Sequence, residues 1–383
     1  VHASRARTPV ASIYFDYAVI LGRDSEAIGG AAHFHLHISY LVALAVIRKI
    51  LKEANMSKLK LTSMNRRAFV MSSAAGALSS AALLAFNAGA REAMIGNKAA
   101  AWYRFKLGDF EATVVSDGAL NLGPVAALYP KTPKETMEGL LTSHFQSPVA
   151  IVQENCLVLN TGDKLVLFDS GMGTYKVFGT AAGRLESTLA ASGIKPDDID
   201  AIILTHGHID HLSGIMSDEG KRLFPNAQII MSKVEHDFWT DEAKTSSTGV
   251  MKLLVDSARK NLLPNKDRLV FVEDGKDAIK GVSVVSTPGH TPGHTSYLLS
   301  SAGQNFLYTG DPVTNTAISF NHPDWAFNFD VDPGMASETR KRVLDMAVQD
   351  KITLIGYHFA FPGIGNVAKE GDAYRFVPAA MDI

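Results

Sequence analysis

The stretch THGHIDH, residues 205–211, places His206, His208, Asp210 and His211 directly after the apolar run Ile202-Ile203-Leu204. Imidazole and carboxylate are the side chains by which proteins hold zinc and related divalent ions, and a catalytic site leaves one position open for water. If the strand continued through the motif, residues 206, 208 and 210 would share one side, whereas a loop would let His211 turn towards a second ion. Ligand-type residues packed this densely point to two metals.

Three further candidates stand where later apolar runs end: His290 after VSVVSTPG, Asp311 after NFLYTG and His358 after ITLIGY. Loops at strand ends are where a rigid scaffold presents chemistry, so all of these residues can converge on one edge. Cys156 is the only cysteine, which rules out an intramolecular disulfide and a cysteine-based zinc cluster. Any metal must therefore be held by histidine and carboxylate. The 37 Lys and Arg against 39 Asp and Glu give a formal charge of −2, with no basic stripe for a phosphate backbone, so nucleic acid is not an expected partner.

The elements that must position these residues are legible as short runs. FEATVVSDG, NCLVLNTG and KLVLFDSG read as antiparallel strands closed by Asn, Asp and Gly turns. A helix over Arg184 to Ser192 stops at Gly193, and a buried strand over Ala201 to Leu204 delivers the motif. AQIIMS, RLVFVEDG, VSVVSTPG, TSYLLSS, NFLYTGD and ITLIGYH read as strands, and Val250 to Lys260 and Glu338 to Val348 as helices. With 46% hydrophobic and 20% charged residues, this order suits an α/β domain of two sheets sandwiched by helices.

THGHIDH, TPGHTPGH, YTGD and GYHFAFPG, in this order and spacing, resemble the metal motifs of the metallo-β-lactamase-fold hydrolases. The resemblance covers Trp102 to Pro378. YRFKLGDFEATVVSDG, FPNAQIIMSKVEHDFW and FPGIGNVAKEGDAYRFVP are similar to the methyl parathion hydrolase branch, which is allied to lactonases and aryl esterases. The resemblance implies a four-layered αββα sandwich and two divalent ions. Zinc is the expected metal, although manganese, iron or cobalt would also suit the ligands. His206, His208 and His290 would hold one ion, Asp210, His211 and His358 the other, and Asp311 would bridge them.

A hydroxide bridging the two ions would then attack a small-molecule lactone or aryl ester, acyl-homoserine lactones included, with Asp210 and Asp311 as the catalytic carboxylates. A phosphotriester hydrolase of the methyl parathion type is the alternative, followed by a β-lactamase or a non-catalytic metal-binding protein. The commonest zinc β-lactamases carry a cysteine where Asp311 stands, and flavodiiron oxidoreductases a glutamate where His208 stands. Phe178 and Trp239 align with aromatic pocket positions of the branch, and Phe329 joins them as a substrate-binding candidate. Core packing is the other account of these aromatics. The stretch after Trp239, DEAKTSSTGV, is shorter than in that branch, and the region of Phe327 and Phe329 is bulkier, which favours lactone or ester over phosphotriester.

Asp169, in VLFDSG, either orients a metal-bound imidazole or simply forms a turn. His294 is expected to fix the TPGHTPGH turn, and His144, His236 and His322 have no motif around them.

Ahead of this domain, Met64 to Arg91 contains the pair Arg66-Arg67, a mildly apolar stretch and Ala88-Gly89-Ala90, in the order of a twin-arginine export signal. The expected division is an upstream segment 1–63 outside the native fold, a signal peptide 64–90 and a hydrolase domain 91–383. The product would be periplasmic or secreted, without a stable membrane anchor once the signal is cleaved, with a homodimer left open. His33, His35 and His37 fall in the upstream segment.

Overall fold

The computed structural model describes residues 101–381. The upstream segment, the export signal with its cleavage site, and His33, His35 and His37 lie outside the described residues.

Among the described residues the strands form two sheets of seven, each in sequence order. The first holds β1 (Trp102–Leu107), β2 (Phe110–Pro124), β3 (Val149–Asn160), β4 (Leu165–Phe168), β5 (Ala201–Ile203), β6 (Gln228–Ser232) and β7 (Leu269–Val272). β1 to β4 pair antiparallel, as expected, and β4 to β7 parallel. The change of direction needs a crossover between β4 and β5. The helix Leu185–Ser192 supplies it, ended by Gly193 at φ 83°, a left-handed backbone that glycine adopts freely. β4 and β5 read LVLF and AII without polar alternation because both faces of this part of the sheet are covered.

The second sheet holds β8 (Asp277–Ile279), β9 (Val282–Ser286), β10 (Thr295–Ser301), β11 (Gln304–Tyr308), β12 (Thr353–Ile355), β13 (Ile364–Glu370) and β14 (Ala373–Pro378). Only β11 and β12 pair parallel, across the helix Pro333–Gln349. The inner faces of the sheets meet through Phe168 of β4, whose ring lies 5.8 Å from Tyr297 of β10 and 5.3 Å from Tyr308 of β11. Outside the first sheet, the helix Gly249–Leu262 buries Leu254, Val255, Ala258 and Leu262. Outside the second, Pro333–Gln349 buries Val343, Leu344 and Ala347 against Leu307 and Leu354. The result is the expected αββα sandwich. No helix of the described residues is long and apolar enough to cross a membrane.

Strand direction decides where the chemistry appears. β4 and β5 run parallel, so Asp169 and the 205–211 segment leave the first sheet at one edge. β9 and β11 are both antiparallel to β10, and β12 is parallel to β11, so His290, Asp311 and His358 likewise follow carboxyl ends.

Three sequence expectations change. β5 ends at Ile203, and Asp210 and His211 sit on a single helical turn, Ile209–Leu212, so residues 206, 208 and 210 do not alternate along a strand. The chain leaves the ladder because Asp169 Oδ1 accepts the Thr205 backbone N–H at 2.8 Å. The helix expected from Glu338 begins at Pro333, since Asp332 caps Met335 N at 3.0 Å and proline suits the first helical position. The helices Lys134–Ser143 and Lys233–Thr240 and the hairpin β13–β14 were not foreseen; both helices are ten residues or shorter, which leaves little periodicity to detect.

Candidate metal centre

All seven expected ligand residues meet where the two sheets open. Their ligand atoms fall into three sets, each within 4.8 Å of one another: His206, His208 and His290; His206, His211 and Asp311; and Asp210, His211 and His358. His358 Nε2 lies 3.4 Å from Asp210 Oδ2 and 3.2 Å from Asp311 Oδ2. Asp311 also stands 3.4 Å from both His211 Nε2 and His290 Nε2, while His208 Nδ1 is 3.0 Å from His290 Nε2. Two ligands held about 2.0–2.1 Å from one tetrahedral ion lie roughly 3.3 Å apart, so these spacings are those of shared coordination.

The polar atoms test the fit independently. His206 Nε2, His211 Nε2 and Asp311 Oδ1 are buried and have no hydrogen-bond partner. Orphaned buried groups are costly, and a cation between them removes the cost. The histidine and aspartate clusters thus fit a binuclear divalent metal site.

Outer hydrogen bonds aim the imidazoles. Nδ1 of His211 donates to Asp169 Oδ2 at 2.8 Å, Nδ1 of His358 to the Gln153 carbonyl at 2.8 Å, and Nδ1 of His290 to Asp330 Oδ1 at 3.0 Å. Each bond leaves Nε2 facing the centre. Asp330 is in turn held by Arg340 Nη2 at 3.2 Å, and Tyr357 Oη donates to the Asp210 carbonyl at 2.6 Å. His294 does hold its turn, and it also accepts the Asp311 backbone N–H on Nε2 at 3.0 Å. Asp330, Arg340 and Tyr357 were missed in the sequence, where no local pattern links them to a histidine.

Burial and the neighbouring imidazoles keep His206 and His208 well below the ordinary histidine pKa, so both stay neutral and ready to ligate. Burial acts the same way on His211, but Asp311, Asp210 and Asp169 outweigh it and raise that group well above the ordinary value. Asp311 is held well below the ordinary carboxylate range, because the attraction of His358 and His211 outweighs its burial.

The centre forms the floor of a cavity of about 650 Å³, counted to its solvent opening. Leu120, Leu122, Val152, Ile209 and Leu254 line it with Tyr129, Phe178, Phe327 and Phe329, while Thr314 and Asn315 add polar groups. The aromatic wall is continuous: Phe327 packs 5.3 Å from Tyr129 and 5.5 Å from Phe329, and Phe329 meets Phe178 edge-on at 6.4 Å. Among the described residues, no lysine or arginine lines the cavity. Trp239, expected on this wall, is instead fully buried in the core, its ring 5.4 Å from His208 and its Nε1 donating to Glu235. A buried indole needs a partner for its N–H, and Glu235 supplies it from the same helix.

The family described as the Metallo-beta-lactamase superfamily matches residues 150–358, a span that encloses all seven ligand-type residues. A solved structure described as hydrolase AbOPH in beta lactamase superfamily has a TM-score of 0.69 and 31% identity, covering 75% of this chain and 100% of that one. AidC, described as a dizinc quorum-quenching lactonase, has a TM-score of 0.67 and 27% identity over 74% of this chain and 98% of its own. An N-acyl homoserine lactonase of Bacillus sp is 27% identical over 214 residues, 51% of this chain and 77% of that protein.

Proposed function

This chain belongs to the metallo-beta-lactamase superfamily, and from that membership we propose that it hydrolyses neutral, apolar lactones or aryl esters, acyl-homoserine lactones among them, at a pair of divalent ions. His206, His208 and His290 would hold one ion, Asp210, His211 and His358 the other, with Asp311 between them. Zinc is the proposed metal, by likeness to the dizinc neighbour. Bound there, such ions lower the pKa of a water they contact and polarise a carbonyl oxygen.

The chain's own residues do the rest. The apolar wall around Phe178, Phe327 and Phe329 binds the hydrophobic part of the substrate and presents its ester group to the floor. Asp311 is held as a carboxylate among three imidazoles and keeps the two halves of the centre together. Asp210, which reaches the cavity, is placed to take the proton of the attacking water and pass it to the leaving oxygen. The acyl carbon gains a hydroxyl, the ring or ester C–O bond breaks, and the departing alkoxide gains that proton.

The observation that carries this reading is the seven-residue centre under a cavity with no lysine or arginine among its described lining residues. A β-lactam, a phosphomonoester or a nucleic acid brings an anion that would find no lysine or arginine there. A phosphotriester is neutral as well, so its hydrolysis is the second reading.

Metal-free and zinc-reconstituted protein, assayed on an acyl-homoserine lactone, an aryl ester and a phosphotriester, test the proposal. Chelation should abolish turnover and zinc restore it, with the lactone or aryl ester preferred. Undiminished hydrolysis by the metal-free protein would overturn it. Preference for the phosphotriester would install the second reading, and tight metal binding without any turnover would indicate a binding protein.

A further inference from the structure

We propose that Glu235 is a positioning residue for the three-histidine half of the centre, its carboxylate clamping the loop of His206 and His208 to the loop of His290. The inference rests on the ligand assignment proposed above.

Glu235 lies in the helix Lys233–Thr240 that follows β6, and it is fully buried. Both of its oxygens are used twice, once by each of two donors. Oε1 accepts the Gly207 backbone N–H at 2.9 Å and Trp239 Nε1 at 2.5 Å. Oε2 accepts the Thr291 hydroxyl at 2.8 Å and the Gly293 backbone N–H at 2.9 Å. Gly207 stands between His206 and His208, and Thr291 follows His290, so one carboxylate spans both ligand loops within a residue of each imidazole. A hydrogen bond from Thr295 N to the Thr205 carbonyl, 3.0 Å, ties the loops at their base. Glu235 ties them again at the level of the ligands.

The approach is close enough to demand glycine on both loops. A Cβ on Gly207 would collide with the Trp239 indole, and one on Gly293 with the Glu235 backbone. The glycine of the HGH motif is thus explained by the helix behind it. The other half of the centre is supported by different groups, Asp169 behind His211, Tyr357 behind Asp210 and Gln153 behind His358. None of them bonds to Glu235, so the clamp should act on one ion and spare its neighbour.

Glu235→Gln keeps the shape but turns an amide NH₂ towards backbone donors on one loop. Metal-free wild type and variant would be titrated with Co²⁺, followed by absorbance, with retained ions counted by elemental analysis. Wild type should bind two ions. In the variant, one ion should weaken about 10–100-fold, the usual effect of losing an outer hydrogen bond to a metal site, while the other keeps its affinity. Tyr357→Phe is the mirror control: it removes the hydroxyl donated to the Asp210 carbonyl, so it should weaken the other ion, and the double variant should weaken both. Thr291→Val removes one donor and leaves the carboxylate, so it should weaken the same ion as Glu235→Gln to a smaller degree, and it decides the matter if Glu235→Gln does not fold. Equal weakening of both ions in Glu235→Gln, with a lower melting temperature of the metal-free protein, would show a merely structural residue and overturn the clamp. Unchanged affinity for both would also overturn it, while leaving the proposed function intact. Fewer than two ions on wild type would overturn the ligand assignment and the clamp with it.

Discussion

Asp169 and His211, 42 residues apart in sequence and both fully buried, meet at 2.8 Å between Oδ2 and Nδ1. The contact is made from a left-handed backbone at Asp169, φ 55°, which aspartate tolerates better than most residues. The same carboxylate accepts the Thr205 N–H and hydroxyl. It therefore fixes both the tautomer of one candidate ligand and the start of the segment that carries four of them. Asp169→Asn is expected to lower metal affinity or kcat/KM by roughly 10–100-fold. Parallel metal titration and steady-state kinetics would check it.

Asp311 lies within 3.4 Å of His211, His290 and His358, candidate ligands from both of the proposed ion sites. Asp311→Asn removes the charge and keeps the size. Activity should fall by about a hundredfold or more, which is roughly 2.7 kcal/mol of barrier. A variant with wild-type kcat/KM would contradict the shared position.

Gly310, just before Asp311, has φ 59°, and a Cβ there would press on the His294 imidazole and on Thr205. Since His294 holds the Asp311 backbone, Gly310→Ala should cost about 1–3 kcal/mol of stability and displace Asp311 as well. Calorimetry and activity measured on the same preparation should both decline.

Phe178 is half-buried on the cavity wall, edge-on to Phe329. Burying a phenyl surface is worth about 1.5–3 kcal/mol, so Phe178→Ala should lower kcat/KM for long-chain or aryl substrates by about tenfold or more. A short-chain lactone that does not reach the wall should be hydrolysed nearly as well as before. Equal losses for both substrates would argue against a binding role.

Burial pushes the Tyr129 hydroxyl up to about 12 from its ordinary value of 10.0. The unfolded chain releases this proton first as pH rises. The contribution of Tyr129 is therefore complete below pH 10 and is lost between about 10 and 12, up to roughly 2–3 kcal/mol. Denaturant titrations at several alkaline pH values should show Tyr129→Phe losing less stability across this window than wild type.

The seven candidate ligands were legible because all of them gather in the few residues that follow apolar runs, and that pattern survives without coordinates. Asp169 could be seen at a strand end too, yet its duty could not, since a turn-forming aspartate looks the same until Nδ1 of His211 is found beside it. Trp239 shows the opposite failure. An aromatic residue on a short helix has the same letter whether it faces a cavity or the core, and here the helix turns it towards His208 and Glu235.

What the sequence alone determined is therefore the chemistry available: imidazoles and carboxylates at strand ends, no cysteine cluster, an α/β order and a nearly balanced charge. Hydrophobic periodicity and residue type are local properties, and they suffice for that. Tertiary structure alone decided that Asp311 stands within 3.4 Å of histidines from three loops, that Asp330 and Arg340 support His290, and that no lysine or arginine of the described residues lines the cavity. Those relations join residues tens to hundreds of positions apart. They are set by how two sheets pack and in which direction their strands run, which no local pattern encodes.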